Sequence, residues 1–376
     1  MKICILSNPN SVHVRRYLDF FTGRGHELSL IGSSVLQNPL PTKIRFLDLP
    51  ARFNVRKLRY LVWPLLVRRW LQQIQPEILH AHFVNSAGWL GAASGFHPFL
   101  LTAHGSDLLL LSDKSWMHQQ LSMQALQRAD YLTCGSEWLL QKALSLGVPP
   151  DRAEVVLLGV DTDLFSPSPD RQALRANLGL SAGPIVLSLR GFKPIYNPLL
   201  IAQALPAILQ RFPTTQLVAL KAHTEAQILS QFQTTIERQG VAHTVHYVEP
   251  LWDDHAVADY IRAADVSISM ASSDSIAKSV QEAMACEIPV VAGDVPALRE
   301  RIEPDVNGLL VPLGDPEALA TAVIRLLEDG DLRRTLGKQA RRTICERADS
   351  KVWMARSEEI YYKMVRDYDK NARAVQ

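Results

Sequence analysis

The sequence predicts an α/β protein with two doubly wound, Rossmann-like domains that face one cleft. Short apolar strands alternate with helices from the first residues onward, which favours parallel sheets covered by helices on both faces. The alternation stops at Ser166-Pro167-Ser168-Pro169, the best candidate for a linker, and then restarts as a second series. A chain of 376 residues is long enough for two domains of ordinary size.

Composition and charge are those of a globular protein. Apolar residues make up 47% of the chain and charged residues 21%, as in ordinary soluble domains. The net charge of +2 gives no support for nucleic-acid binding. The four cysteines lie far apart and without metal-ligand spacing, which indicates thiols in a reducing compartment and a cytoplasmic location. The first residues are too short an apolar run for a signal peptide, and no run reaches the roughly 18 residues of a membrane span, so we expect neither.

The first strand, Lys2 to Ser7, leads through a turn into a helix and then into a second strand, Glu27 to Ile31. The turn does not have the pattern GxGxxG, so a nicotinamide or flavin site has no support. It still follows a parallel strand, and ligands of open α/β sheets bind at the carboxyl edge. His13 and Arg15 are therefore candidate ligand-binding residues. The alternative is a surface turn with a solvated arginine.

Segment 52–74 is basic and amphipathic. Its arginines and one lysine interleave with leucine, valine and tryptophan, and no acid occurs between Asp48 and Glu77. Such a segment is typical of helices that bind a membrane surface. The alternative is a core-packed helix whose Lys and Arg stems cover apolar surface. Pro64 predicts a kink or a split in this helix.

A later strand of the first domain, from Phe99, runs into His104-Gly105-Ser106-Asp107. His104 could donate a hydrogen bond to a ligand or to a developing charge, although a single histidine at a strand end is often structural. We expect Asp107 to cap the next helix and to orient His104. Ser136 is expected to cap the helix that follows the next strand.

Arg190 and Lys193 follow the first strand of the second domain. Two cations beside a glycine at the carboxyl end of a strand suit a diphosphate that must leave as an anion. Lys221, at the end of the next strand, competes with Lys193 for this role. The alternative for each is a solvated surface charge.

Residues 267–293 predict a buried strand, a loop of small residues, a helix and a second strand. Where the helix begins, unpaired backbone N–H groups and the helix dipole form an anion site suited to phosphate. Asp274 precedes this junction and Glu282 lies about one turn inside the helix, so the two carboxylates can reach opposite ends of one ligand. The alternative is that Asp274 caps the helix and Glu282 is solvated. The candidate residues of the anion site are Ser275, Ile276, Ala277, Lys278 and Ser279.

The same stretch resembles a known family. Asp274-x7-Glu282, continued by Ala-Met-Ala-Cys and later by Pro-Val-Val-Ala, is similar to the carboxylate-x7-Glu signature of the family 4 retaining glycosyltransferases of group 1, which have the GT-B fold. The resemblance implies that Glu282 binds the ribose of a nucleotide-sugar. It implies that Asp274 faces hydroxyls of the transferred sugar. It also implies that backbone amides between Asp274 and Glu282 hold the diphosphate.

Other segments extend the resemblance over nearly the whole chain. Thr-x-His-Gly-x-Asp at 102–107 resembles a family segment whose histidine lies between donor sugar and acceptor, which implies that role for His104. Gly159 to Phe165 resembles the segment that closes the first domain, and its glycine would let the backbone approach a ligand. Arg190 and Lys193 resemble the family's diphosphate-binding pair, which usually has a longer spacing.

This chain departs from the family pattern in the same region. The first acid is Asp274 instead of the commoner glutamate, and the usual loop glycines are replaced by Ser275, Ala277 and Lys278. Glu287 stands where a glycine usually ends the helix. The replaced glycines leave the position of the diphosphate open, although Lys278 could supply charge there.

The resemblance implies a domain organisation and a reaction. The first domain would span 1–166 and the second 167–351, with a terminal helix of about 352–376 packing back on the first. The protein would move a sugar, with retention, from a UDP- or GDP-sugar to an acceptor hydroxyl in polysaccharide, glycolipid or glycoconjugate biosynthesis. It would use no metal and no further cofactor. Catalysis would rest on His104, Asp274 and Glu282.

The acceptor is expected on the side of His13 and Arg15. Because lipid-linked acceptors fit this family, the resemblance favours membrane binding by 52–74 and a peripheral location on the inner face of the membrane. Two alternatives remain. One is a nucleotide-sugar epimerase of similar shape, and the other is a subunit that binds a nucleotide-sugar without turnover.

Overall fold

The computed structural model contains two α/β units, each built around its own parallel sheet. It describes residues 1–33, 36, 39–40, 43–50, 58–111, 114–222, 224–274 and 278–374. The first unit comprises Met1–Leu158 and Lys351–Gln376, and the second comprises Gly159–Ser350. The predicted α/β class with two parallel-sheet domains is confirmed.

The first unit contains a seven-stranded parallel sheet. Its strands are β1 Lys2–Leu6, β2 Glu27–Gly32, β3 Arg45–Asp48, β4 Ile78–His82, β5 Phe99–Ala103, β6 Tyr131–Cys134 and β7 Ala153–Val155. Their spatial order is β3-β2-β1-β4-β5-β6-β7. Every residue of β4 and β5 is buried, as expected where helices cover both faces of a parallel sheet.

Within the described residues, six α-helices of the first unit precede the second unit, and a seventh follows it. They are α1 Val12–Gly23, α2 Arg59–Ile74, α3 Trp89–Ser94, α4 Ser106–Leu109, α5 Trp116–Arg128, α6 Glu137–Ser145 and, at the C-terminal end, α15 Ser350–Ala374. From Lys351 onward α15 groups with the first unit, where the sequence places the segment from about 352. The predicted cap is present, since Ser136 accepts a hydrogen bond from the Leu139 amide at the start of α6.

α2 continues through Pro64 as one helix, so the predicted split does not occur. One face of the helix is buried, and it includes Trp63, Val67, Leu71 and Ile74. Burial of this face stabilises the helix by more than the hydrogen bond that Pro64 cannot make. The start of the basic segment, residues 52–57, lies outside the described residues.

The second unit contains a six-stranded parallel sheet of order β10-β9-β8-β11-β12-β13. Its strands are β8 Ile185–Ser188, β9 Gln216–Leu220, β10 Val245–Val248, β11 Val266–Ser269, β12 Val290–Gly293 and β13 Leu309–Val311. Its helices are α7 Arg171–Asn177, α8 Pro198–Arg211, α9 Ala226–Arg238, α10 Asp254–Ala263, α11 Lys278–Ala285, α12 Pro296–Arg299, α13 Pro316–Glu328 and α14 Gly330–Arg347.

The division between the units falls between Leu158 and Gly159, eight residues before the predicted boundary at 166. The backbone of this stretch is tied to the second unit by arginines. Arg262 donates to the carbonyls of Leu164 and Ser166, and Arg341 donates to the carbonyl of Phe165. The Ser-Pro-Ser-Pro composition therefore marks a turn that is anchored on the second unit, not the boundary itself.

Gly159 is required by a close backbone approach within the second unit. Its φ is +70°, and a Cβ at this position would lie 2.5 Å from the Cα of Ser350. The amide of Val160 donates to Ala348, and the amide of Ser350 donates to Val160. Glycine is therefore required here because another segment of the second unit approaches its backbone closely. The predicted approach of Gly159 to a ligand stays a separate prediction.

Candidate functional site

In both sheets the strand order reverses once, between β1 and β4 in the first and between β8 and β11 in the second. Ligands of open α/β sheets bind outside the carboxyl ends of the strands at such a reversal. His13 and His104 follow β1 and β5, while Arg190 and Asp274 follow β8 and β11. The predicted residues therefore lie at the two edges where this rule places a ligand.

A cluster of histidines lies at the carboxyl edge of the first sheet. The ring of His104 stacks on those of His13 and His82, with centroids 4.9 Å and 5.2 Å apart. Nε2 of His104 and Nδ1 of His82 are 3.0 Å apart and share a hydrogen bond. His80, on the same face of β4, extends the cluster, since its ring centroid is 4.1 Å from that of His82.

Burial keeps His80, His82 and His104 of this cluster uncharged at neutral pH. The pKa of His80 is lowered to about 3, first by burial and then by the repulsion that its proton would meet from a protonated His104. The pKa values of His82 and His104 are also lowered well below their ordinary value, mainly by burial and further by neighbouring histidines. Neutral imidazoles can donate at one nitrogen and accept at the other. The cluster can therefore position His104 as a hydrogen-bonding group but not as a cation at neutral pH.

Asp107 organises the loop that carries His104. Its carboxylate accepts hydrogen bonds from the backbone N–H groups of Gly105 at 2.8 Å, His104 at 3.1 Å and Val84 at 2.8 Å. Burial raises the pKa of Asp107, and these hydrogen bonds lower it in part. Asp107 lies inside the first turn of α4. Its hydrogen bonds to the loop before this helix orient the backbone of His104, as expected.

His13 joins the histidine cluster, and Arg15 contacts the segment at Pro39. One Nη of Arg15 donates to the carbonyl of Pro39 at 3.2 Å. The side chains of His13 and Arg15 lie two residues apart at the start of α1, so they leave the helix in different directions. Of the two candidates at this turn, His13 is the one beside His104.

Arg190 and Asp274 form an ion pair at the carboxyl edge of the second sheet. Both side chains are largely buried, with 18% and 15% of their surfaces exposed. The guanidinium also lies 5.0 Å above the ring of Tyr196. Burial lowers the pKa of Arg190, whereas Tyr196 and Glu282 raise it. Two residues that are 84 positions apart in the sequence thus form an ion pair where the strand order of the second sheet reverses.

Glu282 is not the solvated residue of the alternative interpretation. Its side chain is 3% exposed, and its Oε1 accepts from Nζ of Lys278 at 2.8 Å, one turn earlier on α11. Nζ of Lys278 also lies 3.3 Å from Oδ1 of Asp254 and 5.9 Å from the ring centroid of Phe165. Lys278 is therefore neutralised by two carboxylates, and its predicted role as charge for a diphosphate would require these pairs to rearrange.

The remaining donor candidates differ in how far the structure describes them. Lys193 is partly buried just before a one-turn 3-10 helix, Pro194–Tyr196, and Ser279 is the second residue of α11. Lys221 follows β9 and is paired with Glu249. Ser275, Ile276 and Ala277 lie outside the described residues.

Several residues of these two clusters were not predicted. Tyr361 of α15 bonds Nδ1 of His80 at 2.5 Å, and Thr102 bonds Nε2 of His80 at 2.6 Å. Asn197, with a left-handed backbone, donates to the carbonyl of Met270 at 2.9 Å and so holds the loop after β11. The alternation of His80 and His82 on one strand was a usable signal, because residues two apart share a face. No local pattern predicts Tyr361.

Two kinds of feature are absent from the ranges that the structure describes. No group of three or more His, Cys, Asp or Glu side chains there has the arrangement of a metal site. No helix within those ranges is long and apolar enough to cross a membrane.

Two known protein families match this chain. Residues 11–164 match Glycosyltransferase Family 4, and residues 170–343 match Glycosyl transferases group 1. A D-inositol 3-phosphate glycosyltransferase of Kineococcus radiotolerans is 31% identical over 324 residues, which are 77% of this chain and 72% of that protein. An N-acetyl-alpha-D-glucosaminyl L-malate synthase of Bacillus anthracis is 24% identical, over 72% of this chain and 69% of that protein.

The match covers a smaller share of other relatives. It spans 62% of the length of a D-inositol 3-phosphate glycosyltransferase from Catenulispora acidiphila, which is 29% identical over 67% of this chain. Among solved structures, sucrose-phosphate synthase from Thermosynechococcus elongatus superposes with a TM-score of 0.83 at 21% identity, over 96% of this chain and 99% of that one. Anabaena HepE in complex with UDP superposes with a TM-score of 0.81 at 18% identity, over 96% of this chain and 100% of that one.

Fold and comparisons together define the class of the protein. Two parallel α/β units that superpose on these structures over 96% of the chain have the GT-B fold. Within that class, the chain belongs to family 4 of the glycosyltransferases, in group 1. The family and fold predicted from the sequence are confirmed, and the match favours a transferase over the epimerase alternative.

Proposed function

We propose that this protein transfers a sugar, with retention of configuration, from a nucleoside-diphosphate sugar to an acceptor hydroxyl in the biosynthesis of a polysaccharide, glycolipid or glycoconjugate. The observation that carries the proposal is two largely buried ion pairs near the strand reversal of the second sheet. They are Arg190 with Asp274 and Lys278 with Glu282. Structures of Anabaena HepE contain UDP and UDP-glucose, which supports a uridine nucleotide-sugar as the first donor to test, with GDP-sugars beside it.

Each of these two ion pairs has a proposed role in donor binding. The carboxylate of Glu282 accepts hydrogen bonds from the ribose, and Asp274 accepts them from hydroxyls of the transferred sugar. Arg190 then exchanges Asp274 for the diphosphate, because a guanidinium binds phosphate oxygens through paired N–H donors. Lys193 and the amides near Ser279 contribute further donors. Partial burial strengthens these interactions by excluding water.

The proposed reaction needs no protein nucleophile. The bond from the anomeric carbon to the diphosphate oxygen breaks, and the acceptor oxygen forms the new bond on the same face of the sugar. The acceptor proton passes to the departing diphosphate oxygen. Arg190 stabilises the negative charge that develops on the leaving group, and neutral His104 donates a hydrogen bond near the transferred sugar. We propose that the reaction uses no metal ion and no further cofactor.

We also propose that α2 binds the surface of an anionic membrane. Leu61 and Leu65, four residues apart and therefore on one face, are each 70% exposed. Arg68 and Arg69 follow one turn later, and this combination fits an interface with anionic lipid. Trp116 at the start of α5 is 75% exposed. Replacing both leucines with glutamine should reduce co-sedimentation with phosphatidylglycerol vesicles, and unchanged co-sedimentation would reject this surface.

The test of the main proposal is turnover of a panel of UDP- and GDP-sugars by the wild type and by Glu282→Ala, with and without EDTA. Activity that depends on Glu282 and survives EDTA is expected. Donor binding without turnover, under conditions that include the acceptor, would favour the binding-subunit alternative. Activity abolished by EDTA and restored by a divalent ion would overturn the metal-free mechanism.

A further inference from the structure

A pocket of about 370 Å³ lies at the carboxyl edge of the first sheet. It is bounded by the ends of β1 and β2, the first turn of α2, the segment 83–90 and His118 of α5. The ring of Phe83, which lines the pocket, lies 4.3 Å from the ring of His104. A molecule in this pocket is therefore beside the histidine that faces the transferred sugar in the proposed reaction.

One wall of the pocket is aromatic. The rings of Tyr60 and Trp89 lie 5.1 Å apart, and Trp63, which also lines the pocket, donates its indole N–H to the carbonyl of Pro50 at 3.4 Å. The faces of aromatic rings carry negative charge, which attracts the polarised C–H groups on the flat side of a sugar or polyol ring. Pockets of this kind combine an apolar platform with a few fixed polar groups.

The polar groups at this wall include the guanidinium of Arg59 and the imidazole of His118. Arg59 lies 4.9 Å above the ring of Tyr60 and donates to its hydroxyl at 2.9 Å. The same hydroxyl is 3.2 Å from Nε2 of His118, whose Nδ1 is 2.7 Å from the hydroxyl of Ser115. Each ring nitrogen of His118 therefore has a hydroxyl partner, and the imidazole can exchange one of these hydrogen bonds for one to an oxygen of a ligand.

Among the described lining residues, Arg59 brings positive charge to the pocket. No aspartate or glutamate is among the pocket-lining residues within the described ranges. A guanidinium has five N–H donors in a planar fork that matches the oxygens of a phosphate, so its bond to Tyr60 is compatible with binding an anion. The lining thus combines a ring platform with an anion site at one end.

We propose that this pocket binds the acceptor, and that the acceptor is a sugar or polyol ring carrying a phosphate group. The ring lies on Tyr60 and Trp89, and the phosphate is bound by Arg59 and His118. This inference rests on the proposed function, and it adds the chemical class of the second substrate. The phosphate can belong to a soluble molecule or to a lipid headgroup.

The experiment measures nucleoside-diphosphate release by the full chain, with the donor held constant and the acceptor varied in matched pairs. The soluble pairs are inositol with inositol phosphate and glucose with glucose phosphate. The vesicle pair is phosphatidylcholine with and without phosphatidylinositol. We expect the phosphorylated member of at least one pair to have a kcat/KM about tenfold or more above its partner. The pair that responds identifies a soluble or a lipid source.

Variants connect this preference to the pocket. Arg59→Gln should raise the KM for the phosphorylated acceptor about tenfold or more and leave the donor Kd, measured by calorimetry, unchanged. Tyr60→Phe keeps the ring but removes the hydroxyl between Arg59 and His118, so it should weaken phosphate discrimination without a loss of ring binding. Arg152→Gln removes an exposed cation of the same unit outside the pocket, and it should change neither constant.

Two results separate the failure of this inference from the failure of the proposed function. Equal kcat/KM values for phosphorylated and plain acceptors, or an unchanged acceptor KM in Arg59→Gln, would overturn the phosphate assignment while donor turnover remained. A wild type that binds no donor at all would overturn the proposed function and this inference together.

Discussion

Glu287 adopts a left-handed backbone, with φ of 60°, two residues after α11 ends at Ala285. This is the position at which the family usually has glycine, and a side chain with a Cβ is strained in this conformation. Glu287→Gly should therefore stabilise the protein by about 0.5 to 1 kcal/mol, the relieved strain being partly offset by the greater freedom of glycine in the unfolded chain. Urea unfolding measures this change.

Glu287→Ala is the control for that substitution. It removes the charge and the side chain but keeps the Cβ that causes the strain. We expect no gain in the free energy of unfolding from the alanine variant. A gain equal to that of the glycine variant would attribute the effect to the lost charge and reject the backbone explanation.

The hydrogen bond between His82 and His104 defines which nitrogen of His104 carries its proton. Nε2 of His82 is buried without a hydrogen-bond partner among the described residues. An unpaired acceptor is tolerated more often than an unpaired N–H. His82 therefore donates from Nδ1 to Nε2 of His104, and the proton of neutral His104 lies on its Nδ1.

If His104 acts as a donor from Nδ1, His82 is a positioning residue for the proposed reaction. His82→Phe removes the hydrogen bond and should lower kcat about tenfold, which corresponds to about 1.4 kcal/mol. His82→Asn can place an amide N–H near the position of Nδ1 and should recover most of this loss. Equal losses in both variants would indicate a packing role alone.

At the scale of elements, α14 packs directly on the end of α11. A Cβ at Gly337 would lie 2.2 Å from the carbonyl oxygen of Glu287, which is backbone and cannot move freely. Arg341, one turn later on α14, donates to the carbonyl of Ala285 and so satisfies the end of α11. The glycine and the arginine together fix the helix that carries Glu282.

Gly337→Ala should consequently destabilise the protein by about 1 to 3 kcal/mol, because the two helices must separate. The loss should appear in urea unfolding and in weaker donor binding, since the displaced helix carries Glu282. Gly330→Ala is the matched control on the same helix, where the nearest atom to a new Cβ is a flexible arginine side chain at 3.5 Å. A neutral Gly337→Ala variant would show that the helices adjust at no cost.

The elements of this fold were largely predictable from sequence, and their pairings were not. Strands such as β8 and helices such as α7 follow from apolar periodicity and caps, which are local signals. β3 is short and half-exposed at the sheet edge, so its pattern is weak. The pairing of Arg190 with Asp274 and the burial of Glu282 depend on which strands are adjacent, and no local pattern contains that information.

At the scale of the whole chain, composition indicated that two units exist but misplaced their boundary. Ser166 to Pro169 has the composition of a linker, yet Arg262 binds the carbonyl of Ser166 and Arg341 binds that of Phe165. Both arginines are far from this turn in sequence. Long-range hydrogen bonds of this kind decide to which unit a segment belongs, which explains an error of eight residues.

The return of α15 to the first unit has a consequence for acid stability. Tyr361 of α15 bonds His80, which is buried on β4 and whose other ring nitrogen bonds Thr102. The groups that face His80 are Tyr17, His82 and Tyr361, and a protonated His104 would repel a proton on it. None of these is a carboxylate that could stabilise a charged imidazole, and the pKa of His80 is lowered to about 3.

Because the folded pKa of His80 lies below the unfolded value of about 6.5, the unfolded chain binds more protons between these values. The stability that depends on neutral His80 is fully present above pH 6.5 and is lost as the pH falls toward 3, by up to about 1.4 kcal/mol per pH unit. His80→Asn cannot titrate, so its free energy of unfolding should fall less steeply between pH 6.5 and 4.5, although it starts lower at neutral pH. Urea unfolding at a series of pH values compares the two slopes. Parallel slopes would mean that His80 is protonated in the folded protein, and α15 would then hold a charged histidine against the sheet.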